Sequence, residues 1–103
     1  MLPNRRPCET VELMRNGQRY HVSVGFHPRT AEVCEVFAYG PKVGSEAAWM
    51  LQDVCIAFSH SFQDGKEPAD LVAGVIRDDQ GVPASIYGEI IDLCSSYQGG
   101  RDG

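Results

Sequence analysis

The 103-residue sequence predicts an α+β fold, a three-stranded antiparallel meander packed on one face by two to three helices. Three observations predict it. Apolar and polar residues alternate through two consecutive segments before residue 27, which is the period of a half-buried strand, and a third, mostly apolar segment follows before residue 40. The pair Asn16-Gly17 separates the first two segments. After Ser45 the apolar residues recur at steps of three and four, the period of a helix with one buried face.

The opening "MLPNRRP" carries Pro3 and Pro7, which lack backbone donors and hold their neighbours extended, so residues 1–7 are expected to form an arm. In "CETVELMR", Val11 and Leu13 alternate with Glu12. In "QRYHVSVGF", Tyr20, Val22, Val24 and Phe26 alternate with Arg19, His21 and Ser23. Asn and Gly tolerate positive φ at both central positions of a type I′ turn, so these two segments are expected to form a hairpin. "HPRT" turns the chain, and "EVCEVFAY" is expected as the third strand. Its pattern leaves two inward sets open, either Val33, Phe37 and Tyr39 or Cys34, Val36 and Ala38. A sheet this small needs an apolar cover on one face.

The cover is expected from "SEAAWMLQDVCIAFSHSFQDG", where Ala48, Leu51, Cys55, Phe58 and Phe62 share one helical stripe. Ser45 suits the N-cap, Glu46 the positive first turn, and Gly65 the left-handed end. A second helix is expected from Pro68 to about Arg77, carrying Leu71, Val72, Val75 and Ile76. After the loop "RDDQGVP", the segment "ASIYGEIIDLC" is expected as a short third helix through Ile86, Ile90 and Leu93. Residues 8–94 would then be one domain and residues 95–103 a tail.

Composition narrows the function classes. The apolar fraction is 43% and the charged fraction 22%, ordinary values for a folded globular chain. Nine basic and fourteen acidic residues give a net charge of −5, which argues against extended nucleic-acid binding. Without Arg5 and Arg6, the chain from Cys8 onward carries seven basic and fourteen acidic residues, a balance of −7. A small basic arm thus precedes an acidic body. The opening lacks the apolar run of a secretory signal and no segment reaches the length of a membrane span, so a cytoplasmic protein is expected. Cys8, Cys34, Cys55 and Cys94 lie far apart, and are expected as small apolar residues in a reducing compartment.

The stretch "AYGPKVGSEAAW" is the candidate site. Unpaired amides at a helix start favour an anion, and Gly40 and Gly44 would admit a ligand close to the backbone beside Lys42. Lys42 precedes the second glycine, so the pattern is not a Walker loop. Two readings stand: a phosphate cradle at Lys42, Gly44 and Ser45, with Arg5 and Arg6 reaching over, or a capped helix start. Phe37, Tyr39 and Trp49, the last beside Gln52, Asp53 and Ile56, are candidates for a subunit interface. His21, His27 and His60 show no close ligand pair, so no metal is expected. Cys55 and His60 do not share a helical face well, and Asp78 and Asp79 are read as solvated loop charges, so no catalytic set is expected.

In order along the chain, "LPNRRP", "RYHVSVGF", "AEVCEVFAYGPKVGS", "SFQDG" and "GVPASIYGEIIDLC" carry a family resemblance. The chain resembles the small stand-alone bacterial proteins of the TSCPD-domain type, which are similar to the C-terminal domain of adenosylcobalamin-dependent (class II) ribonucleotide reductases. Glu35, Val36 and Phe37 match the family's strand end, Lys42, Gly44 and Ser45 its Lys-x-Gly-Ser turn, and Gln63 and Gly65 the Gln-x-Gly that closes the helix. The Thr-Ser-Cys-Pro-Asp string is missing, and the nearest place, "VPASIYGE", has neither its cysteine nor its aspartate. No redox or metal role tied to that cysteine is therefore carried over. The reductase barrel and cobalamin site are absent too. The resemblance implies an accessory or binding module and not a reductase. With the turn described above, the expected function is that of a non-catalytic accessory or regulatory domain with no cofactor, linked to ribonucleotide reduction and binding a nucleotide or other phosphorylated ligand at the turn. The alternative is an interaction module that forms a homo-oligomer or docks on a larger enzyme through its sheet face.

Overall fold

The computed structural model describes residues 8–101, with side chains from Cys8 to Tyr97. The expected arm, with Arg5 and Arg6, lies outside the described residues. Three strands, β1 (Cys8–Arg15), β2 (Gln18–Phe26) and β3 (Val33–Tyr39), form an antiparallel sheet in the order β1-β2-β3. Three helices, α1 (Glu46–Gln63), α2 (Pro68–Val72) and α3 (Ile86–Arg101), complete an α+β domain.

The hairpin closes as its sequence requires. Asn16 and Gly17 have φ of 51° and 80°, and Arg15 pairs with Gln18 across them. Two central residues at positive φ give the turn whose twist matches that of the flanking strands. From Tyr20 to Phe26 the inward residues pack on the core, with Val22 and Val24 wholly buried. In β3 the inward set is Cys34, Val36 and Ala38, while Phe37 and Tyr39 face out. Val33 is buried beside Cys34 because the register shifts between Gly25 and Phe26.

Helix α1 runs beside β3, and its spacing explains why it fits. Four helical residues rise about 6.0 Å, close to the roughly 6.6 Å of two strand residues, so every fourth residue of a helix can meet every second residue of a strand. Here the Cys55 thiol meets the backbone of Ala38, the Ser59 hydroxyl meets Val36, and the Gln63 amide meets the carbonyl of Cys34 at 3.1 Å. Val36 donates its N–H to Ser59 Oγ at 3.0 Å, and the hydroxyl donates back to the Val36 carbonyl at 3.2 Å. The outer edge of β3, which no described strand covers, is thereby met by side chains of one helix.

The stripe of α1 differs from the expected one, since Ala48 is only half-buried and a serine joins the buried set. Leu51, Cys55, Ser59 and Phe62 are buried, and Phe58 is only half-buried at the margin of the core. A polar residue takes the inward position because β3 presents backbone groups there. The end of α1 is a Schellman arrangement, with Lys66 N–H on Ser61 O and Gly65 N–H on Phe62 O.

Two expected boundaries are corrected. The second helix does not reach Arg77: it ends at Val72, and Gly74 and Val75 close it with three-residue bonds to Leu71 and Val72. Beyond them Arg77 bridges to Pro83, and Ile76 points into solvent. The chain leaves the helix because Arg77 is held elsewhere, forked onto both carboxylate oxygens of Asp92 at 2.9 and 2.7 Å. Asp78 is not simply a solvated charge either, since its carboxylate accepts from the amides of Gln80 and Val82 and shapes the loop. The third helix does not stop at Cys94. It continues to Arg101, so the expected tail is helical through that residue, and the Tyr97 ring stands edge-on to Phe26 at 5.2 Å. That aromatic pairing, invisible in a serine- and glycine-rich stretch, anchors the extension.

Ile90, Ile91 and Cys94 seat α3 in the core, and an Arg15–Glu89 ion pair ties it to the end of β1. No described helix is long and apolar enough to cross a membrane. Ser59→Ala should leave two buried backbone groups of Val36 without partners. A loss of about 1–3 kcal/mol is expected, read as a lower urea midpoint with an unchanged slope.

Candidate functional site

Residues 40–45 join β3 to α1. Gly40 lies so close to β2 that an added Cβ would stand 2.7 Å from the Arg19 carbonyl, and the Gln18 amide donates to the Gly40 carbonyl at 3.0 Å. The turn is therefore pinned to the closed end of the β1–β2 hairpin. Lys42 to Ser45 then form a β-turn, with Ser45 N–H on Lys42 O at 3.0 Å and Gly44 at φ +86°. Positive φ at the third turn position is the type II requirement that selects glycine.

Ser45 completes the cap. Its hydroxyl donates to the Lys42 carbonyl at 2.6 Å and accepts from the Ala48 amide at 3.2 Å. The polar groups of Ser45 are thus engaged within the turn, and Glu46 adds a negative charge to the first helical turn. The Lys42 side chain points out and is exposed. The structure brings Lys42, Gly44 and Ser45 together, and the arrangement by itself explains Gly44 and Ser45 as a helix start.

Beside this turn runs a groove between the end of β3 and the first half of α1. A cavity of about 110 Å³ lies against Tyr39, Pro41, Val43 and Trp49. A second, of about 210 Å³, lies against Phe37, Tyr39, Gln52 and Ile56. They share Tyr39 and Gln52, so the groove is continuous. Its apolar residues are open to solvent, with Tyr39 60%, Trp49 59% and Val43 94% exposed. The interface candidates Phe37, Tyr39 and Trp49 therefore meet on one surface. Val43 belongs with them and was not singled out by sequence reasoning, because an apolar residue inside a turn shows no periodicity.

The remaining candidates stay apart. His21, His27 and His60 are exposed on β2, on the loop after it and on α1. Among the described residues no group of three potential ligands could hold a metal ion. Cys8 is exposed, against the expectation that each cysteine packs as a buried apolar residue, because it opens an edge strand. Cys34, Cys55 and Cys94 are buried. Burial pushes the Cys55 thiol up to about 11, partly offset by a backbone hydrogen bond from Ala38. Burial, with Cys55 close by, pushes Cys94 up to about 12. Neither is poised as a nucleophile. Asp92 is held below the usual carboxylate range by its hydrogen bonds from Arg77. Comparison of the chain with protein-family models, with curated proteins and with solved structures finds no match.

Ser45→Ala is expected to remove about 1 kcal/mol of stability through loss of the cap, seen as a lower melting temperature. Lys42→Ala should leave the melting temperature unchanged. The thiols give a pH dependence. An unfolded thiol releases its proton near 9.0, whereas Cys55 and Cys94 hold theirs to about 11 and about 12, so the folded state binds more protons in between. Stability should be intact below pH 9 and fall as pH rises above it. Urea midpoints across this range check the slope, and Cys55→Ala should reduce it.

Proposed function

We propose that this domain is a protein-interaction module that docks on a larger partner through the groove between β3 and α1. The observation that carries this reading is the run of solvent-exposed apolar side chains Phe37, Tyr39, Val43, Trp49 and Ile56 along one continuous groove. Scattered apolar residues on a surface are ordinary, but a contiguous aromatic set is typical of interface centres. The resemblance to TSCPD-type proteins, which are similar to the C-terminal domain of a larger reductase, supports an accessory role of this kind. Free thiols at Cys8, Cys34, Cys55 and Cys94 suit a reducing, cytoplasmic setting.

A nucleotide or other phosphorylated ligand at the turn is the second reading. What favours it is the exposed Lys42 ammonium beside Gly44, where no atom lies within 4 Å of an added Cβ. The same experiment separates the two. Trp49 is the one tryptophan of the chain and lines the groove, so its emission reports directly on occupancy. Peptides selected from a random display library should shift that emission to the blue, and Val43→Asp and Ile56→Asp should weaken them about tenfold, or 1.4 kcal/mol, without unfolding the domain. Selected peptides indifferent to both variants would overturn the docking reading. A rise in melting temperature with ATP or inorganic phosphate, abolished by Lys42→Ala, would establish the anion reading instead.

A further inference from the structure

The two edges of the sheet are treated differently. The outer backbone groups of β3 meet Cys55, Ser59 and Gln63 of α1. Those of β1 meet nothing among the described residues. Their identity follows from the register. Around a two-residue turn the flanking pair, Arg15 and Gln18, exchanges both hydrogen bonds, so Leu13, Val11 and Glu9 also bond inward to β2. Val36 gives the same answer from the other side. It turns its N–H and carbonyl outward to Ser59, so its partner Val24 bonds to Glu9 on β1. Cys8, Thr10, Glu12 and Met14 consequently present their N–H and carbonyl groups to the outside.

We propose that a second copy of this chain adds to this edge, β1 against β1 and antiparallel about a two-fold axis, to make one continuous sheet of both copies. Three features favour a second copy as the occupant. The strand is eight residues long and contains no proline, and the register irregularity of the sheet lies on β2 and β3, so neither a proline nor a bulge blunts the edge of β1. It is also complementary to itself. With the axis at Val11, residues 8–14 pair, Val11 faces Val11, Glu9 faces Leu13 and Thr10 faces Glu12, so no like charges stand opposite. Moving the axis to residue 12 would set two Glu12 carboxylates against each other. Finally, Val11 is only half-buried on the helix-covered face, and its copy would close that margin.

The edge and the groove lie at opposite sides of the sheet, so the two proposals are tested separately. Light scattering on the full chain from micromolar to millimolar concentration should show a dimer, unchanged in Val43→Asp and Ile56→Asp. Hydrogen exchange should show the amides of Thr10, Glu12 and Met14 gaining protection as concentration rises. Thr10→Pro removes an outward N–H that β2 does not use and should raise the dissociation constant at least about tenfold. Thr10→Ala, which loses only the hydroxyl contact with Ser23, should not. A monomer at every concentration would overturn the proposal. So would a dimer in which these three amides exchange freely, or a folded Thr10→Pro protein that dimerises like the parent. Protection that appears only on adding an extended peptide would assign the edge to a foreign strand and overturn it as well.

Discussion

The junction between α1 and the outer edge of β3 is the constraint on which the rest of the structure depends. A strand edge carries donors and acceptors that must find partners, and a helix offers backbone groups only at its ends. The solution here uses side chains at Cys55, Ser59 and Gln63, set at the one helical spacing that keeps step with a strand. Once these are engaged, the long axis of α1 is fixed relative to the sheet. Leu51 and Phe62 then fall into the core, and Trp49 and Ile56 fall on the side that remains open. The groove is therefore a by-product of sealing the edge.

Apolar burial supplies most of the stabilisation and polar contacts decide the arrangement. Each wholly buried side chain such as Leu51 or Ile90 contributes about 1.5–3 kcal/mol. An exposed pair such as Arg19–Glu12, at 2.6 Å, contributes little beyond orientation. Arg77–Asp92 is forked and partly shielded, which makes it geometrically more specific than a single contact. It holds the loop after α2 against α3. Among the described residues, no buried side-chain nitrogen or oxygen lacks a partner.

What could be read in the sequence follows from this division. The hairpin, the three strands and the start and end of α1 were legible because period-two alternation, Asn16-Gly17, Ser45 and Gly65 are local signals. The choice between the two faces of β3 was not, since both sets of its alternating residues are apolar and only α1 decides between them. Ser59 was hidden for a related reason. A serine on a buried stripe looks like a flaw until the backbone of Val36 is placed beside it. The length of α3 depends on the distant ring of Phe26, and the shortness of α2 on the distant carboxylate of Asp92. At the turn, the sequence showed Lys42, Gly44 and Ser45 correctly as neighbours. It could not show that the hydroxyl of Ser45 is engaged on both sides.

The sealed edge of β3 also sets a limit on growth. A sheet with two free edges is a bifunctional monomer: each added copy exposes a new end, and the product is a filament of indefinite length. This chain is monofunctional in that sense, because its second terminus is already occupied by its own helix. Joined through β1, as proposed, two copies would leave only sealed ends outward, and association would stop at a closed, symmetric pair. In such a pair Ser59 and its neighbours on α1 would act as a chain terminator, built into the fold that they hold together.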